Sequence, residues 1–232
     1  MDILMALVDF IPVCLYCAGS IILQRDFYNK MGKGMFALFS AGTIFVVVAG
    51  IYKALWKLLY YSGACDFTAL NKCFFPMQAT GFFLAAMGVA AVQVHKRNVK
   101  KAEGKNVKVN SVSPAAAVIA VMAAVSAPKE YSGTLIMVVV MVAGVFVLDA
   151  ALLQVCICRK QPGAAVMIAV SFVFTLCMGY LSSKNFEKQS MNWIAEGVNT
   201  IGQGLYFLTA LSLHKKGLGD RDALGYSIAT LD

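Results

Sequence analysis

Apolar positions in this chain run in blocks of about twenty residues, and the short polar stretches between them carry nearly all of the charge. A block of that length is what an α-helix needs to cross a hydrocarbon layer of roughly 30 Å. A helix also satisfies its own backbone hydrogen bonds where lipid offers no partner. The pattern predicts an all-α, polytopic transmembrane bundle of seven spans: Ile3–Leu23, Met35–Leu55, Phe74–Val94, a segment at about 110–127, Thr134–Ile157, Ala164–Leu181 and Trp193–Leu213. The fourth is the weakest, because its apolar core Pro114–Ala127 reaches only about 21 Å at 1.5 Å per residue. Adding Asn110–Ser113 brings it close to a full crossing.

Composition agrees with the pattern. The 232 residues are 59% hydrophobic and 14% charged, against roughly 45–50% and about 25% in soluble domains. A soluble core of this size cannot hide that much apolar surface. The N-terminus lacks a basic region and its apolar run continues to Leu23, so the first block is expected to be a retained span and not a cleaved signal.

The net charge of +8 acts on orientation. With seven spans and the N-terminus outside, the inner loops hold Arg25, Lys30, Lys33, Lys96, Arg97, Lys100, Lys101, Lys105, Lys108, Arg159, Lys160, Lys215, Lys216 and Arg221, fourteen cations in all. The outer loops hold four: Lys72, Lys129, Lys184 and Lys188. If the fourth segment does not cross, the balance falls to twelve against six. The positive-inside bias therefore favours N-terminus out, C-terminus in, at the cell membrane. Anionic lipid is the expected partner of the inner loops, and no loop is long enough for a nucleic-acid domain.

The first and last three spans resemble each other weakly at an offset near 130 residues. Gln24 falls opposite Gln154, and Gly50-Ile51-Tyr52 opposite Gly179-Tyr180. Val94-His95-Lys96-Arg97 resembles Leu213-His214-Lys215-Lys216 at an offset of 119. This suggests a 3+1+3 parallel repeat: residues 1–95 as the first triplet, 96–133 as a basic loop with the linker span, 134–216 as the second triplet and 217–232 as a tail. Parallel repeats build many transporters, with the site at the repeat interface. Sugar-transporting proteins of the SWEET type share the plan in outline, but their repeated membrane prolines are not evident here. No lysine of the retinal-binding kind lies in the last span.

Ionisable groups at membrane depth are rare and face a bundle interior or a wet cavity. Asp9 lies about six residues into the first span, Asp149 about fifteen into the fifth, Glu196 about one turn into the seventh, and Lys53 near the outer end of the second. Glu196, Asn199, Thr200 and Gln203 follow i, i+3, i+4, i+7 and fall within about 60° of Glu196, a polar stripe that has to turn away from lipid. Gly197, Gly202 and Gly204 beside it would permit close helix approach.

The expected substrate-binding residues are Asp9, Lys53, Gln78, Asp149, Glu196, Asn199 and Gln203, in a pocket with Trp56, Tyr52 and Tyr180. Glu196 and Asp9 would hold a cation, a proton or a substrate ammonium, while the amides supply neutral hydrogen bonds. Bland readings stand beside these. Lys53 and Lys57 would snorkel to headgroups beside an aromatic belt, Glu196 would cap its helix or pair with Lys53, and Asp9 would pair with a neighbouring helix; the runner-up role of Asp149 is a cytoplasmic gate or proton site with Gln154.

Cys14 and Cys17 fall inside a span, where packing is the expected use. Cys65 and Cys73 share an outer loop and would pair only in an oxidising compartment. No metal or cofactor motif and no catalytic constellation is visible. The function expected is a transporter or channel for a polar or cationic small solute, with a homo-oligomer as a further expectation, and not an enzyme. A seven-helix receptor, a lipid-modifying enzyme and an assembly subunit are the alternatives.

Overall fold

The structure is a computed structural model and describes residues 3–28, 31–102, 133–182 and 189–215. Every regular element among them is helical: α1 (Ile3–Val8), α2 (Phe10–Phe27), α3 (Lys33–Tyr61), α4 (Thr68–Ala102), α5 (Gly133–Cys158), α6 (Pro162–Ser182) and α7 (Gln189–Leu213). The linker span expected at 110–127, the tail 217–232, and Lys129, Lys184 and Lys188 lie outside the described residues.

Four stretches are long and apolar enough to cross a membrane: Ile3–Phe27, Lys33–Tyr61, Thr68–Ala90 and Ile136–Cys158. α6 contributes a shorter apolar run, Pro162–Met178. α7 has 25 residues, ample length, but its apolar character is broken by Glu196, Asn199 and Gln203. The first span is split at Asp9, because Pro12 has no N–H to give the Val8 carbonyl and its ring crowds that carbonyl. α4 continues through His95-Lys96-Arg97 to Ala102, past the expected end at Val94. Lysine and arginine are good helix formers, so a basic run ends a span without ending a helix.

The helices close a ring in chain order: α2 packs on α3, then α4, α5, α6 and α7 follow, and α7 returns to α2. α1 packs on α3. Their directions follow from the residue pairs that meet. Asp9 and Glu196 share Lys57, Gly19 backs on Tyr206, and Asp26 pairs with His214, so α2 and α7 run in parallel. Gln24 meets Thr43 and Gly50 meets Val13, so α3 opposes α2. Gly42 meets Gly81 and Phe39 meets Gly88, so α4 opposes α3. Gln161 meets Ser212 and Ser171 meets Gly202, so α6 opposes α7. α5 joins α6 through the short turn Arg159–Gln161 and packs along it, with the Phe146 and Phe172 rings 5.4 Å apart. Helices α2, α4, α5 and α7 therefore run one way, and α3 and α6 the other.

Burial is inverted relative to a water-soluble bundle. Ile21, Ile44, Phe45, Val166, Val173, Ile201 and Leu208 face outward, while Asp9, Asp26, Lys57, Asp149 and Glu196 are buried. Toward the Asp26 end the ring is filled by Leu23, Phe27, Phe39, Leu152, Ile168 and Leu213, an apolar plug beneath the polar interior. At its edge Asp26 and His214 tie α2 to α7, with Nδ1 of the imidazole 2.9 Å from Oδ1.

Candidate functional site

At the Asp9 end, one lysine organises two carboxylates. Lys57 projects from the last turns of α3, forms an ion pair with Oδ2 of Asp9, and donates to Oε1 of Glu196 at 3.1 Å. All three side chains are buried. Removing a charge from water costs several kcal/mol, so such groups persist only where opposite charge and hydrogen bonds meet them. The break at Asp9 places its carboxylate at the joint of α1 and α2, and the polar stripe of α7 brings Glu196 inward. Oδ1 of Asp9 has no hydrogen-bond partner among the described residues.

This corrects the expected roles of the lysines. Lys57 does not snorkel to headgroups, and Glu196 pairs with it and not with Lys53. Nor does Glu196 cap α7, which starts at Gln189, seven residues earlier. Lys53, one turn back, lies with its Nζ 4.3 Å from the centre of the Phe74 ring and faces the interior. Trp56 turns to the loop, where Nε1 donates to Oδ1 of Asp66 at 3.1 Å and the indole stacks on Tyr60.

Beneath the triad is a central cavity of two adjoining lobes that share Tyr16, Lys53, Phe74, Gln78, Phe82, Asn199 and Gln203. One lobe reaches Asp9 and Glu196. The other, about 880 Å³ with its mouth, reaches Asp149 and Ser171. Together the lobes are lined from all six ring helices.

All seven residues nominated from the sequence line this cavity: Asp9, Lys53, Gln78, Glu196, Asn199 and Gln203 toward the triad, and Asp149 in the larger lobe. Trp56, Tyr52 and Tyr180 do not line it, and Tyr180 is exposed. The aromatic lining is Tyr16, Phe74, Phe82, Phe174 and Tyr206 instead. Tyr16 stacks on Tyr206 with ring centres 5.1 Å apart and meets the Phe82 edge at 5.9 Å. Spacing could have found the two tyrosines: Tyr16 follows Asp9 by seven residues, and Tyr206 follows Asn199 by seven, each on its helix's polar face.

Asp149 differs from the two carboxylates held by Lys57. It is only 7% exposed, and no hydrogen bond or ion pair reaches it among the described residues. Gln154, its expected partner, is exposed on another face of α5. The hydroxyl of Tyr16 is likewise buried without a partner, whereas that of Tyr206 lies 3.4 Å from Oγ of Ser20. Ser171 donates to the Gly202 carbonyl at 2.9 Å, and Gly202 packs closely under Phe174. A Cβ at Gly197 would meet nothing within 4 Å, so this glycine does not serve the close helix approach expected of it.

Cys65 and Cys73 are both exposed and free. Among the described residues no group of three His, Cys, Asp or Glu is placed to hold a metal ion. Comparison with protein-family models, curated proteins and solved structures finds no match to this chain.

Proposed function

We propose that this chain is a multi-pass transporter or channel of the cell membrane that passes a polar or cationic small solute through its central cavity. One observation carries the reading: the cavity runs from the Asp9–Lys57–Glu196 triad to Asp149, which has no partner among the described residues, ringed by helices whose outward faces are apolar. A lipid-facing bundle has no structural need for a carboxylate without a partner, so the residue is retained for what it meets. The apolar plug at the Asp26 end fits a state closed on one side. The amides Gln78, Asn199 and Gln203 would supply neutral hydrogen bonds to the solute.

The same reading has seven spans, N-terminus out, arranged as two triplets around a linker. Its support is directional. α4 and α5 are neighbours running the same way, so the chain leaving α4 at Ala102 has to be returned to the opposite end before α5 starts at Gly133. A fourth crossing at about 110–127 does this. The triplets α2–α4 and α5–α7 then share one orientation and meet at two interfaces, α4 with α5 and α7 with α2. The matched glutamines have diverged: Gln24 donates to Thr43 at 2.6 Å, while Gln154 faces outward.

Topology has a direct test. Cys65 and Cys158 are both exposed, on loops at opposite ends of the bundle. In intact cells a membrane-impermeant maleimide should label a variant keeping Cys65 alone and spare one keeping Cys158 alone. Labelling of both would mean that the segment between α4 and α5 does not cross.

For function, proteoliposomes should take up at least one solute from a panel of protons, alkali ions, amino acids, sugars and amines. Asp149→Asn and Glu196→Gln should each cut that uptake at least tenfold while folded protein is recovered in normal yield. Normal uptake in both variants would remove these residues from the path. Solute binding without flux would favour a sensor.

A further inference from the structure

We propose that the larger lobe is an organic-ammonium site, in which the Asp149 carboxylate takes the ligand's charge and the aromatic wall takes its carbon substituents. This deepens the transport reading and rests on it for physiological meaning, but not for binding.

Charge identifies the class. The outer carboxylates already have a cation, because Lys57 occupies both Asp9 and Glu196. Lys53 is turned to Phe74. That leaves Asp149 as the one cavity carboxylate with no cation or donor among the described residues, and it is more than nine-tenths buried. A buried carboxylate aimed into a cavity is stabilised most by a ligand carrying positive charge.

The remaining wall decides between a bare metal ion and an organic one. A hard divalent ion gathers about six or more oxygens at close range. Asp149 is the lobe's one carboxylate, and the other oxygens there belong to neutral hydroxyls and amides set among Phe74, Phe82 and Phe174. A single carboxylate with neutral hydrogen-bonding groups beside aromatic rings suits an ammonium bearing carbon groups. Aromatic faces attract ammonium groups, by about 2 kcal/mol or more once water is excluded.

The fold already displays this recognition twice with its own side chains. The Lys53 ammonium sits over Phe74, and the Lys57 ammonium is held between two carboxylates.

Benzylammonium is a suitable probe, with benzyl alcohol as its neutral counterpart. Titrated calorimetrically into the full-length protein in nanodiscs, benzylammonium should bind, and benzyl alcohol should bind at least tenfold more weakly. Asp149→Asn should erase the difference between the two. Cys158→Ser, at an exposed position outside both lobes, should retain it.

A second measurement needs no variant. Dicyclohexylcarbodiimide should modify Asp149 in the wild-type protein, as mapped by mass spectrometry, and benzylammonium should protect it. Equal binding of the two probes, binding unaltered in Asp149→Asn, or modification unaffected by benzylammonium would each overturn the assignment. None of these readouts requires flux. Uptake of an uncharged solute with no ammonium binding would sink this site and leave transport standing, whereas ammonium binding without any flux would do the reverse.

Discussion

Lys57→Met should destabilise the protein by about 3–5 kcal/mol, the loss expected when one partner of a buried ion network is removed. The lysine is the common partner of Asp9 and Glu196. Without it, two buried carboxylates face each other between α2 and α7. The penalty is mainly that of the stranded charges, so neutralising them should reverse most of it. The triple variant Asp9→Asn, Lys57→Met, Glu196→Gln should recover to within about 1–2 kcal/mol of wild type, since a matched neutral set carries no charge desolvation. Asp9→Asn alone should cost less than Lys57→Met, because Lys57 still donates to Glu196. The thiol of Cys156, fully buried in the apolar plug, gives a readout. In a background lacking the other cysteines, its rate of maleimide labelling on heating reports unfolding in detergent. A Lys57→Met midpoint equal to wild type would show that the triad adds nothing to stability.

The triad also shows how far the sequence could be read. Hydrophobic blocks located the four stretches long and apolar enough to cross a membrane, because lipid imposes length and polarity directly on the chain. The costly residues Asp9, Asp149 and Glu196, and the stripe of α7, were visible for the same reason. Their partners were not. Lys53 and Lys57 lie one turn apart on one face of α3, and periodicity cannot say which of them reaches a carboxylate 139 residues away. Burial decides it: Lys57 lies level with Asp9 and Glu196, whereas Lys53 lies level with Phe74. Asp26 and His214, 188 residues apart, pair for a similar reason. They become neighbours only once α7 closes on α2, and no local pattern encodes that closure. The aromatic belt misled in the other direction. Trp56 and Tyr60 do cluster, yet the cavity draws its rings from Tyr16, Phe82 and Tyr206 deeper in the bundle.

Gly42→Leu should be the most damaging change outside the polar interior, because it strikes the seam on which α3 and α4 meet. In lipid there is no hydrophobic drive to bring two apolar helices together, so close van der Waals contact between small residues has to do it. Gly42 and Gly81 back directly on each other's chains. A Cβ at Gly42 would fall 2.5 Å from the Gly81 carbonyl oxygen and against the Ala85 amide, and one at Gly81 would fall 2.8 Å from the Gly42 carbonyl oxygen. These are backbone atoms, which cannot rotate aside. A leucine would therefore push the helices apart along a seam that continues to Gly88 beside Phe39, at a cost of about 3 kcal/mol, the upper end of ordinary overpacking. The same movement would shift Lys53 and Lys57 relative to Phe74 and Asp9, so ammonium binding should weaken together with the melting point. Gly34→Leu is the matched control on the same helix, since nothing lies within 4 Å of the added carbon, and it should change stability by less than about 0.5 kcal/mol. Equal melting points for the two leucine variants would mean that α3 and α4 do not approach each other at Gly42.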